Sequence, residues 1–315
     1  MYFPYLRGRQ YELIALRELL DEGILSDCVV PVIEPVRLSP ALIKLMERWT
    51  DEGRRLAVIG NPHVGSFAED MERATTERDR QRKDRFLDLM GHPSIVPACI
   101  VDKARDPSNF KMCFPLRDEG LIAILQDRDS IDRYVSEYEH LARFVLIADE
   151  SAYRRRIHRN RVLFDDKFTR QARNADYGLC DDEFFSDDHL YYRDDGYEGF
   201  ADYSIIGNEY SETGFAPYAV AIHIVYFDDK GSLRVKHFVS SSNDDYNNPA
   251  MKFYEAVSKL HEWYASGACA QRATLGLSGF LEHYQKQTYP GLGTVKKLSL
   301  MHHLELMNRY LTRSE

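Results

Sequence analysis

Short, wholly apolar runs alternate with stretches of helical periodicity along most of the chain. Ile24–Ile33 reads as a strand closed by Glu34-Pro35. Ser39-Pro40 then opens a helix, Ser as the cap and Pro at the first helical position. Leu42, Leu45, Met46 and Trp49 recur at helical spacing until Gly53. Arg55–Gly60 is the second expected strand. A long helical pattern runs from Ser66 to Met90 and breaks at Gly91-His92-Pro93. Ile95–Val101, Leu121–Leu125, Phe144–Ala148, Arg161–Phe164, Tyr203–Ile206 and Tyr218–Phe227 complete a set of eight strands. Between the fourth and fifth, Ser130 is placed to cap a helix carrying Ile131, Tyr134, Val135, Tyr138 and Leu141.

Strands that are apolar throughout and separated by helices are parallel strands buried on both faces. Eight of them predict an α/β fold, a (β/α)8 TIM-type barrel over residues 1–240, with an open doubly wound sheet as the rival. Several connections are too short or irregular for full helices, so the barrel is expected to be distorted. After the eighth strand, Asp228-Asp229-Lys230-Gly231 is a hairpin turn signal, and Leu233–Val239 can pair back antiparallel. Ala250–Ala265 and Leu298–Leu311 read as helices. The stretch between them is loop-rich, with a turn of helix at Phe280–Tyr284. Residues 241–315 are thus expected to form a helical extension packed on the barrel.

Lys plus Arg number 41 against 50 Asp plus Glu, a formal charge of −9. That balance argues against direct nucleic-acid binding, where affinity for phosphate comes from basic residues. No apolar run approaches the roughly 18 residues a membrane span needs. Met1–Tyr5 lacks the basic and apolar regions of a signal peptide, so a cytoplasmic protein is expected. The five cysteines are odd in number and widely spaced, which fits reduced thiols rather than a disulfide framework or a metal knuckle. Two charge runs stand out. Residues 154–161 hold five arginines, and residues 176–202 hold ten acids among aromatic residues, an acidic insertion between the sixth and seventh strands. The insertion suggests an arm that docks on a protein partner or a second copy of the chain.

Barrel chemistry sits at the C-terminal ends of the strands. Those ends carry Glu34, Asn61 and His63, Asp102 and Lys103, Gln126, Asp149, Asp165 and Lys167, and Asn208. Such a ring could hold a hard divalent cation, Mg or Mn, through oxygen ligands, with Glu34, Asp149 and Asp165 as the metal carboxylates. Glu34, His63, Asp102, Asp149 and Lys167 are the catalytic candidates. Asn61, Lys103, Gln126 and Asn208 are the candidate substrate contacts. Several of them have a plainer reading. Glu34, behind an apolar strand, needs a buried partner such as an arginine. His63 fits a turn, and His223, inside the eighth strand, fits a satisfied core histidine. Lys103 and Lys167 each follow an aspartate and fit ion pairs better than a Schiff base. His302 and His303 point in different directions, poor geometry for one metal. No phosphate-binding glycine loop, nucleophile elbow, zincin or kinase signature is present.

The opening Phe3-Pro4-Tyr5-Leu6-Arg7-Gly8-Arg9-Gln10-Tyr11-Glu12-Leu13-Ile14-Ala15-Leu16, with Val30-Pro31-Val32-Ile33-Glu34-Pro35-Val36, resembles the start of the "beta protein" families of bacteria and phages. The nearer resemblance is to a bacterial branch encoded beside a small nuclease-like protein. Arg7, Arg9, Gln10, Glu12 and Glu34 match the pattern. The resemblance implies a barrel-like fold and a mobile-element or phage-defence setting, and brings no established reaction. Two functions are therefore expected: a metal-assisted hydrolase of a phosphate-containing small molecule, or a non-catalytic partner of the nuclease-like neighbour. A lysine-dependent lyase is a weaker third.

Overall fold

The computed structural model describes residues 1–102, 120–211, 217–267 and 272–313. The chain divides into two units. The first comprises residues 1–21, 26–165 and 191–203, and the second residues 22–25, 166–190 and 204–315.

The first unit is an eight-stranded parallel barrel of the expected type. Its strands are β1 (Tyr5–Leu6), β2 (Val32–Ile33), β3 (Leu56–Ile59), β4 (Ile95–Ile100), β5 (Leu121–Ile124), β6 (Ala142–Ile147), β7 (Arg161–Asp165) and β9 (Gly199–Asp202), paired in that order. The first and last meet: Tyr2 bridges Phe200 in parallel, and the Phe3 N–H donates to the Phe200 carbonyl at 2.9 Å. This join leaves few strand edges exposed.

Every second strand residue points inward. The buried interior contains Phe3 and Tyr5, Val30 and Val32, Ala57 and Ile59, Ala98 and Ile100, Ile122 and Ile124, Phe144 and Leu146, Val162 and Phe164, and Ala201 and Tyr203. Aromatic rings come from β6, β7, β9 and β1, four strands in succession around the barrel. Alanine and branched aliphatic residues come from β2 to β5. One side of the interior is filled by rings and the other by aliphatic side chains.

The strand assignments differ from expectation at the two ends of the series. The barrel begins with Tyr5–Leu6, which the apolar pattern does not single out. The expected seventh strand, Tyr203–Ile206, lies a few residues past the real one, Gly199–Asp202. The expected eighth, Tyr218–Phe227, is not a barrel strand. As β10 (Ala221–Phe227) it pairs antiparallel with β11 (Leu233–Val239) in a separate sheet. The long helical pattern is two helices, Phe67–Glu72 and Glu77–Met90, the second capped by Thr76, whose hydroxyl accepts the Asp79 N–H at 3.2 Å. Asp127, not Ser130, caps the turn before Ile131: its carboxylate accepts the Ser130 N–H at 2.9 Å.

The second unit holds the hairpin as expected. Asp228 Oδ1 accepts the N–H groups of Lys230 and Ser232 at 2.8 and 2.9 Å, an aspartate turn closing the two strands. A third strand, β8 (Asp182–Ser186), pairs with β11. It comes from the acidic stretch, which is therefore built into the fold: it supplies a strand to this sheet and the last strand to the barrel. Asp182 accepts from Arg234 at 2.7 Å and from the Tyr226 hydroxyl at 2.7 Å. Its long helices among the described residues are Pro249–Ala265, Leu275–Lys286 and Leu292–Arg313. The middle one replaces the expected loop. Among the described residues no helix is long and apolar enough to cross a membrane.

Candidate functional site

A parallel barrel places all its C-terminal strand ends on one rim. At that rim the inward positions change from apolar to polar. Arg7 follows Tyr5, Glu34 follows Val32, Asn61 follows Ile59, Asp102 follows Ile100 and Gln126 follows Ile124, each two residues on. Alternation gives all five the inward parity.

Glu34 is the centre of this layer. It is 0% exposed, and Arg7 beside it 6%. One oxygen, Oε2, accepts from the Tyr5 hydroxyl at 2.7 Å and from Arg7 Nη1. The other accepts the backbone N–H of His63 at 2.8 Å. Three strand ends thus converge on one carboxylate. Beneath the pair the rings of Tyr5, Phe164 and Tyr203 form a triangle with centroids 4.9 to 5.4 Å apart. The Arg7 guanidinium lies 5.3 Å from the centroids of Tyr5 and Tyr203, in cation–π range. Burial pushes the Tyr5 hydroxyl well above its ordinary range, and the Glu34 charge adds to it. Burial alone would lower the Arg7 pKa, but Glu34 more than reverses that and keeps the cation.

Two glycines make the convergence possible. Gly65 has φ +72°, and a Cβ there would lie 2.1 Å from the Val36 carbonyl oxygen. Gly8 has φ +64°, and its Cβ would meet the Glu34 carbonyl at 3.2 Å. The loops after β1 and β3 rest on the end of β2 only because these positions lack side chains.

The remaining sequence candidates are placed variously. His63 contributes its backbone, and its ring is exposed. Asn61 is a clamp: its amide donates to the Ile100 carbonyl at 2.7 Å and accepts the Ile100 N–H at 2.9 Å, extending the β3–β4 ladder. The Asp102 carbonyl accepts from Arg133. Gln126 is exposed. Asp149 bonds Arg154 and accepts from the Tyr197 hydroxyl at 2.7 Å. Burial raises its pKa, but Tyr197, Arg154 and Arg161 together bring it below the ordinary value. Asp165 has the opposite parity to the inward Phe164 and is exposed. The expected metal trio is therefore not one cluster facing the barrel interior. Among the described residues no three His, Cys, Asp or Glu side chains come together as a metal site. Lys103 lies outside the described residues. In the second unit, Lys167 pairs with Asp188 at 2.9 Å, and the Asn208 backbone N–H donates to Asp166 at 2.8 Å.

The second unit holds a constellation that sequence reasoning set aside. His223 Nδ1 and His237 Nδ1 are 2.8 Å apart, and His237 Nε2 is 3.2 Å from Glu183 Oε1. The two histidines are direct cross-strand partners in the β10–β11 hairpin. Phe168 and Tyr177 set their rings against His223 at 5.0 and 4.6 Å. Burial lowers the pKa of both imidazoles, for His223 well below its ordinary value, with His237 and Lys296 adding to the effect. The signal was present in the sequence. His223 and His237 each stand four residues from Phe227 and Leu233, the pair that closes the expected hairpin.

His302 and His303 do diverge, as their adjacent positions imply. His302 lies between the Thr274 hydroxyl and the Val225 carbonyl, 2.7 Å from each. His303 meets the Ser204 hydroxyl at 2.8 Å. No family model, curated protein or solved structure matches this chain.

Proposed function

We propose that the C-terminal mouth of the barrel binds a small phosphate-containing molecule and hydrolyses it, in a cytosolic setting. The observation that carries this reading is the Arg7–Glu34 pair, an ion pair sealed beneath the rim where barrel enzymes place their chemistry. A buried ion pair often contributes no more stability than an apolar pair of the same volume would. A pair kept at this rim is better explained by a site it organises than by stability. Glu34 acts as a positioning residue: it orients Arg7 and holds the His63 loop down. Asp102 and Gln126, higher on the same inward parity, are the groups assigned to the substrate, with Asp102 as the base for water. A divalent cation such as Mg or Mn would arrive with the phosphate it neutralises, since both Glu34 oxygens already accept hydrogen bonds.

The test is a thermal-shift survey of phosphorylated small molecules, with and without Mg, on the wild type and on Asp102→Asn and Gln126→Ala. A saturable rise in Tm, weakened about tenfold or more in either variant, supports the reading. Ligands that bind both variants as tightly as wild type, or no ligand at all, contradict it.

A further inference from the structure

The Glu183–His237–His223 chain supports a second conclusion, which does not rest on the reading of the barrel mouth. A carboxylate only accepts, so His237 Nε2 carries the proton that faces Glu183. Burial keeps both rings neutral. His237 Nδ1 is then a bare lone pair, and the 2.8 Å contact requires His223 Nδ1–H to be the donor. The order of partners thus fixes both tautomers and leaves the lone pair of His223 on Nε2. Among the described residues nothing hydrogen-bonds that nitrogen, and it is not one of the atoms sealed from solvent without a partner. His223 itself is half-buried, with Glu183 half-buried at the far end of the chain.

We infer that His223 Nε2 is the general base of a hydrolytic site in the second unit, oriented by His237 and Glu183, acting on an anionic ester. The arrangement supplies a neutral imidazole with one nitrogen held by a donor–acceptor chain and the other without a hydrogen-bond partner among the described residues. Phe168 and Tyr177 fix the ring from the side. Lys296, on the helix Leu292–Arg313, adds a positive charge to the electrostatics of His223. In the step, His223 Nε2 takes a proton from water as the water oxygen bonds to phosphorus. The bond from phosphorus to the leaving oxygen breaks with its electron pair, and that oxygen takes the proton back from His223. His237 and Glu183 do not touch the substrate. They are positioning residues, stabilising the imidazolium while it exists.

Two measurements on the full chain decide this. Long-range proton–nitrogen NMR of the imidazoles near neutral pH should show His223 as the neutral Nδ1–H tautomer and His237 as the Nε2–H tautomer. An Nε2–H or doubly protonated His223 overturns the proposal without any need for a variant. Hydrolysis of bis(4-nitrophenyl) phosphate is the second. The wild type should release nitrophenolate above the buffer rate, and His223→Gln should lose about 100-fold or more of it, the scale of a positioned base. An equal rate in His223→Gln, or wild-type protein no faster than buffer, overturns it.

Discussion

Arg7 and Glu34 form an ion pair that joins the loop after the first barrel strand to the end of the second, with the carboxylate wholly out of water. Removing one partner strands the other. Glu34→Gln leaves the Arg7 cation buried beside two tyrosine rings, and a cost of about 3–5 kcal/mol is expected. Replacing both, Arg7→Met with Glu34→Leu, should recover much of that loss. Urea denaturation of the two singles and the double measures the coupling. Additive losses would show that the two side chains act independently.

Gly65 stands where a side chain would run into the Val36 carbonyl, with a left-handed φ besides. Gly65→Ala should destabilise by about 2–4 kcal/mol, because both the backbone conformation and the loop contact are lost. Gly53 is the control. It has φ +65° but open space around its Cβ position, so Gly53→Ala should cost only about 1 kcal/mol. Equal losses at the two positions would mean that the approach to Val36 does not matter.

The hairpin turn rests on Asp228, which accepts two backbone N–H groups. Asp228→Ala should cost about 1–2 kcal/mol, and Asp228→Asn less, since an amide oxygen still accepts. Chemical denaturation of both variants checks the order. If Asn loses as much as Ala, the turn depends on the charge instead.

Acid should destabilise the second unit through its histidines. Burial holds His302 at about 4 and His303 at about 3, and lowers His223, His237 and His189 as well. In the unfolded chain each titrates near 6.5. Below that pH the unfolded state binds protons that the folded state refuses, so stability is full above about 6.5 and falls as pH drops. His302 alone accounts for roughly 3 kcal/mol once the pH is below its folded value. His302→Gln, which keeps a donor and an acceptor, should flatten the decline of stability between pH 6.5 and 4. An unchanged slope would remove His302 from the account.

The barrel was legible because its central strands are apolar for their whole length, which only burial on both faces explains. The strands at the seam were not. Tyr5–Leu6 is too short to show a period, and Gly199–Asp202 is small, polar-ended and set among acids. The long, mostly apolar run Tyr218–Phe227 reads as a barrel strand. Its apolarity has another cause: Ile222 and Ile224 are buried on one face of the antiparallel sheet and Val225 on the other. At the candidate site, Glu34 was readable as a carboxylate that needs a partner. That the partner is Arg7 follows from strand pairing that no local pattern carries. Asp149 and Asp165 looked equivalent to Asp102 as strand-end acids, and only parity and the Tyr197 contact separate them. The pairing of His223 with His237 follows from the hairpin register, which His223 taken as a single strand residue does not reveal.

Phosphate hydrolysis is the activity proposed for the barrel mouth. Its most direct test is release of inorganic phosphate from a panel of phosphorylated small molecules, with Mg present, by the wild type and by Asp102→Asn. Turnover of at least one compound, reduced about 100-fold in Asp102→Asn while Tm is unchanged, is the result expected. Phosphate release that Asp102→Asn leaves intact, or no release from any compound, would contradict it.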